Sequence, residues 1–261
     1  MNYYTLEYHL EKICLENKEF EILDSIWKLN KRTLSAALQS INFNFPHYSL
    51  HEGSHSTTII SNIESFLGED RIKLLEPTDT WLILMSAYSH DLGMIILNKT
   101  IEETLPNDTL MTFLSSLSIQ NRDLDLKEAA NLLLSLKEQP LKIDKSIFDI
   151  RKSIVYVIGE FYRKEHANRS RSIINGTDTK MRELLANFYS ELIPNRFLNL
   201  LSEISFSHGV NFNFLLENLE YQSNGISRDK IHPRFVAALL RLGDLLDVDD
   251  KRFNPISELL L

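Results

Sequence analysis

The residue types in this sequence best suited to chemistry are histidine and aspartate, and six of them are candidates to hold a metal. His90 and Asp91 are adjacent. A His-Asp dipeptide alone means little, because a chain of this composition holds one about every second time by chance. Its setting gives it weight. The pair closes the segment TDTWLILMSAYSHD, in which Trp81 to Met85 are continuously apolar, and ionisable groups at the end of a buried helix are costly without partners. Imidazole plus carboxylate suits Mn, Fe, Co, Ni or Zn, so one or two divalent transition-metal ions are the expected cofactor. Four more positions could complete the ligand set. His55 follows HEGS, His166 sits in FYRKEHANRS, His208 immediately precedes Gly209, and Asp244 lies inside RFVAALLRLGDLLDV. A carboxylate in such a leucine-rich run is expected to be protonated, paired or metal-bound.

Taken singly, each of these residues has a plainer reading. A lone histidine near a helix end is more often a cap or a surface residue, and Asp244 could pair with Arg241 three residues earlier. Asp247, Asp249 and Asp250 read as a solvated acidic helix end, with Asp247 also able to support a ligand from behind. His51 precedes His55 by four, but Gly53 between them argues against a regular helical ligand pair. His9, His47 and His232 lack supporting context and read as structural.

The elements that must position these residues read as helices. Apolar spacings of three and four mark helices over 3–16 and 20–41, followed by a loop over 42–54. Ser54 is placed to cap a helix from His55 to about Leu67, stopped by Gly68. The next helix begins at Pro77–Thr78 and ends near Gly93. The stretch 98–143 is more polar, with helix expected around 122–138, and reads as an insertion or a lid. Further helices are expected over 144–174, ended by Asn175–Gly176, over 178–193, over 195–207, and from Pro233 onward. No strand alternation exceeds four or five residues, so the fold class is all-α. The organisation expected is an N-terminal helical extension over 1–44 and one larger domain over 45–261.

Composition narrows the function. The chain has 261 residues, 43% apolar and 25% charged, enough for a packed interior. A formal charge of −8 argues against coating nucleic acid by bulk electrostatics. Cys14 is the one cysteine, so neither an internal disulfide nor a cysteine-based zinc cluster can form. The N-terminus has no signal-peptide pattern, and no apolar run approaches the roughly 20 residues of a membrane span. No membrane partner and a cytoplasmic location are therefore expected.

The order His55, His90–Asp91, Asp244, each on its own helix, resembles the HD superfamily of metal-dependent phosphohydrolases. His166 in YRKEH and His208 in SHG resemble the extra histidines of members that hold two metals. The phrases HEGSHS, YSHDLGM, YRKEHANRS and RLGDLLDVDDKRFNP are most similar to the bacterial HD-CE subgroup, whose domains often precede a GHKL-type ATPase module and for which a role in phage defence has been suggested. The resemblance covers about residues 45–255 and implies an HD-like helical bundle. It also implies that His55, His90, Asp91 and Asp244 form a primary metal site, with Asp91 bridging to a second ion held by His166 and His208. Metal-bound hydroxide would then attack phosphorus, with His90 and Asp91 at the catalytic centre. Many relatives carry Lys shortly after the HD pair where this chain has Met94, which puts a lysine-based phosphate contact in doubt.

Arg163 and Arg169 lie three residues either side of His166, on the same helical face, and are the expected phosphate-orienting residues. Three functions are left open by these residues. The first is hydrolysis of a nucleotide or nucleotide-derived phosphate ester or anhydride. The second is a single-stranded nucleic acid nuclease. The third is a non-catalytic metal- or nucleotide-binding domain that regulates a partner. The apolar end PISELLL, 17 residues past Asp244, suggests an N-terminal domain of a longer protein, and the resemblance to HD-CE implies that an ATPase module follows.

Overall fold

The computed structural model describes residues 4–44, 53–105, 107–120, 123–138, 146–189 and 192–247. His47, His51, Asp249, Asp250 and the PISELLL segment lie outside the described residues. Twelve helices follow in chain order among those that are described: α1 (Leu6–Glu16), α2 (Glu21–Asn44), α3 (Gly53–Ile72), α4 (Pro77–Ser89), α5 (Asn98–Thr104), α6 (Asp108–Gln120), α7 (Leu124–Glu138), α8 (Ile147–Ile174), α9 (Thr179–Leu184), α10 (Asn195–Ser207), α11 (Asn213–Asn218) and α12 (Pro233–Leu245). The one β contact among these residues is an isolated bridge, Gln222 to Ile231. The all-α expectation holds.

α4 is the axis of the bundle. Every one of its 13 residues is buried, as its apolar run demands, and each fully buried Leu or Ile contributes about 1.5–3 kcal/mol. α1 and α2 pack on it through Leu6, Leu10, Leu23, Trp27 and Leu34, which belong to the same apolar core as the rest of the chain. α3, α10 and α12 surround it from other sides. No single described helix is long and apolar enough to cross a membrane, and the apolar character of α4 is accounted for by burial in the bundle.

α4 and α12 run side by side in the same direction, each opened by a proline. Their first turns are tied together. His232 donates through its backbone N–H and Nδ1 to Asp79 at 2.8 and 2.6 Å, and Thr78 donates its N–H and hydroxyl to Asp229 at 2.8 and 2.9 Å. His9 reaches the Leu75 carbonyl at 3.1 Å. Both histidines serve the framework, as expected.

Several boundaries differ from the sequence expectation. Gly68, at φ 69°, breaks α3 where a stop was expected, but a further turn continues to Ile72. The stretch 98–143 contains α5 and α6 as well as α7. Leu110, Leu114 and Leu117 form the buried stripe of α6 among many Ser and Thr residues, so its period is diluted by polar neighbours. α6 and α7 form a hairpin whose second helix lies along α8. The groove between α7 and α8 is lined by Asp125, Glu128, Leu132, Asp149, Lys152 and Tyr156, and so lies apart from the His-Asp residues. The helix expected over 178–193 is instead α9 followed by a 3-10 turn at Ala186–Phe188. Met181, Leu185 and Phe188 are buried there, a spacing that a short helix plus a tight turn satisfies as well as one long helix.

Candidate metal centre

The six residues singled out by the sequence come together where α4, α10 and α12 end, α3 begins and α8 passes by. His90 is the C-cap of α4 and His208 the C-cap of α10. A helix end leaves its last carbonyls without intrahelical donors, and both histidines use this locally. His90 Nδ1–H donates to the Ala87 carbonyl at 3.2 Å, and His208 Nδ1–H to the Ser205 carbonyl, each three residues back. His166, inside α8, does the same to Arg163 at 2.6 Å. The fourth, His55, donates from Nδ1 to the carboxylate of Asp247. Carbonyls and carboxylates only accept, so each of the four imidazoles carries a proton on Nδ1 and turns its Nε2 inward.

Those Nε2 atoms converge on Asp91. Its Oδ2 faces His55 and His90 at 3.5 and 3.3 Å, and its Oδ1 faces His166 and His208 at 3.5 and 3.9 Å. Asp244 stands 3.5 Å from His55 Nε2. Across the first group the His55 and His90 Nε2 atoms are 3.4 Å apart, and across the second the His166 and His208 Nε2 atoms are 2.7 Å apart. Two lone pairs cannot face each other so closely without a positive centre between or beside them. Residues His55, His90 and Asp91 form one group able to hold a cation, and Asp91, His166 and His208 form another. The donor set therefore fits divalent metal.

The electrostatics point the same way. Burial alone would depress the His90 imidazole, but the carboxylates of Asp91 and Asp244 outweigh it and lift it to about 9. Burial, reinforced by His90 and His166, lowers His208 to about 4 despite Asp91. The carboxylates thus draw one positive charge into the metal-free cluster, on His90, and His208 resists taking another. A cation in each group would replace that proton. Access is uneven. The side chains of His55, His90, Asp91 and His208 are at most 8% exposed, whereas His166 and Asp244 are 21% and 26% exposed, so the centre meets solvent between α8 and α12.

Arg163 and Arg169 are not brought to the centre in the same manner. Arg163 forms a two-pronged pair with Glu160 at 2.6 and 2.8 Å on the exposed face of α8. Arg169 turns to the loop after Asp91, donating to the carbonyls of Gly93 and Ile95 and lying 4.4 Å over the Tyr162 ring. Arg241, considered as a partner for Asp244, donates instead to the carbonyls of Ser207 and Val210.

Three glycines beside the ligands have a role beyond ending helices. A Cβ on Gly93 would overlap the backbone of His166 and Ser170. On Gly209 it would lie 2.6 Å from the Ala167 side chain, and on Gly243 2.9 Å from the Ile59 carbonyl. Each glycine neighbours one ligand and lets its segment close on the helix of another. The sequence signal was present in HDLG, SHG and LGD; only the packing partner was invisible.

A family model named HD-CE matches residues 45–260, most of the chain. No curated protein and no solved structure gave a significant match. The match spans all six residues of the centre, and the fold gathers them from five helices of one α-bundle, His90 and Asp91 together at the end of α4. The chain belongs to the HD-CE family of the HD superfamily.

Proposed function

We propose that this chain is a metal-dependent phosphohydrolase acting on a phosphate ester or anhydride of a nucleotide or nucleotide-derived molecule. The observation that carries the reading is the convergence of four inward Nε2 atoms on the two oxygens of Asp91. His55, His90, Asp244 and Asp91 Oδ2 would hold one divalent ion; His166, His208 and Asp91 Oδ1 would hold a second. When bound, such ions lower the pKa of coordinated water towards neutrality and neutralise charge on phosphoryl oxygens. The chain's own part is to engage every Nδ1–H in a hydrogen bond so that Nε2 is the atom offered to metal, to keep Asp91 between the two groups, and to exclude bulk water from all but the His166–Asp244 side. Arg163 stands three residues from His166, and exchanging Glu160 for a substrate phosphate would let it orient that group. Arg169 is already committed to two carbonyls and is not assigned to substrate.

Metal content and turnover of a panel of nucleotides with Mn test this directly. Asp91→Ala is expected to lose bound metal and to reduce turnover to background. Undiminished turnover in that variant contradicts the proposal. Tight nucleotide binding without turnover under Mn, Fe, Co, Ni and Zn would favour a regulatory domain instead, and cleavage of labelled single-stranded DNA or RNA a nuclease.

A further inference from the structure

Two arginines hold turns that carry metal-centre residues, and each stands three residues from such a residue on its own helix. On α8, Arg169 follows His166 and donates to the Gly93 carbonyl and, at 3.0 Å, to the Ile95 carbonyl. The neighbouring Ser170 hydroxyl accepts the Gly93 N–H at 2.8 Å. Both backbone groups of Gly93, two residues past Asp91, are thus held by the helix that supplies His166. On α12, Arg241 precedes Asp244 and donates to the Ser207 and Val210 carbonyls at 2.6 and 2.7 Å, bracketing His208. The partner of each arginine lies in a different helix-end turn, 31 to 76 residues away.

We infer that Arg169 and Arg241 are positioning residues for the Asp91–His166–His208 half of the centre, an inference that rests on the metal-centre reading. His166 and His208 fix their own rings only relative to their own helices, through carbonyls three residues back. Nothing in those contacts sets the distance between α8, the turn after Asp91, and the end of α10. Arg169 and the Ser170 hydroxyl tie α8 to the turn after Asp91, Arg241 ties the end of α10 to α12, and Arg171 adds an ion pair from α8 to Glu203 of α10. Metal–ligand lengths tolerate only about 0.2 Å, so loosening either turn alters whether an ion fits. A guanidinium can span two carbonyls from one planar fork, whereas an ammonium is a point charge on a flexible stem. The His55–His90–Asp244 half is braced differently. His55 is held by Asp247, and His90 by the last turn of α4, and neither contact involves these arginines.

The test uses the full chain with Mn, comparing wild type, Arg169→Gln, Arg169→Lys and Arg241→Gln. Metal per chain is measured after gel filtration, exchange coupling between ions by electron paramagnetic resonance, and helicity and thermal unfolding of the metal-free proteins by circular dichroism. Wild type is expected to hold two coupled Mn ions. Both glutamine variants are expected to keep wild-type helicity and one uncoupled ion, with affinity for the second reduced at least about tenfold, and Arg169→Lys to fall between. Two coupled ions at wild-type affinity in the glutamine variants would overturn the inference, and so would loss of both ions together. If Arg169→Gln does not fold, Arg241→Gln and Arg169→Lys carry the same comparison. Absence of metal from wild type contradicts the metal-centre reading itself and is read before any variant.

Discussion

The two halves of the His-Asp centre share Asp91 but are built by different means. The His55–His90–Asp244 half gathers α3, α4 and α12, is buried around His55 and His90, and has an acidic brace in Asp247 behind His55. The His166–His208 half uses α8 and α10, orients both rings with carbonyls of their own helices, and is more open at His166. A carboxylate behind an imidazole raises its basicity more than a carbonyl does, so the first half should bind its ion more tightly. The second depends on how well separate helix ends are held in register. A centre built this way would hold its two ions unequally, the second being the easier to remove.

The largest expected effect separates the halves outright. His55→Ala should abolish binding at the first half and leave the ion of the second, whereas His208→Ala should leave only the tightly held ion of the first. Metal analysis after exhaustive dialysis distinguishes them, and identical losses in the two variants would break the distinction. Next comes pH. The His90 imidazole is raised to about 9 from its ordinary 6.5, so its stabilisation of the metal-free fold is complete below about 6.5 and is lost as pH rises through about 9. That proton must leave before His90 can ligate. Apparent affinity of the first half should therefore rise up to about tenfold per pH unit between those values, with proton release visible by calorimetry in buffers of different ionisation enthalpy.

Asp247→Asn removes the acidic brace and should lower affinity at the first half by about 10–100-fold while sparing the second, as titration with Mn would show. Gly93→Ala places a Cβ against the His166 backbone and should destabilise the metal-free protein by about 1–3 kcal/mol, measured by urea unfolding. The smallest effect belongs to Arg163→Ala. In its pair with Glu160 the Arg163 side chain is half exposed, so stability should change by about 1 kcal/mol or less with metal content unchanged. A rise in KM for the phosphate substrate is the effect its proposed role requires.

How much of this was legible in the sequence depends on how local each signal is. His90 and His208 could be found because each sits at a helix end beside Ser and near Gly, and the contact that fixes each ring is only three residues away. The all-α class followed from periodicity and from the scarcity of strand alternation. α6 escaped because its three buried leucines are separated by Ser and Thr, and the helix expected over 178–193 was overextended because a turn can satisfy the same spacing. Asp247 read equally well as a solvated helix end, since its partner His55 is 192 residues earlier. Arg169 gave the least information. Its position on the face of His166 suggested a phosphate ligand, but its hydrogen-bond partners lie 76 and 74 residues earlier, in the turn after Asp91.

The most direct test of a centre in two halves sharing Asp91 is an anomalous-difference map from crystals grown with Mn and recorded near its absorption edge. Two peaks are predicted, one beside Asp91 Oδ2 with His55, His90 and Asp244, the other beside Asp91 Oδ1 with His166 and His208. No peak at Asp91, or ions held by residues outside this set, would contradict the account.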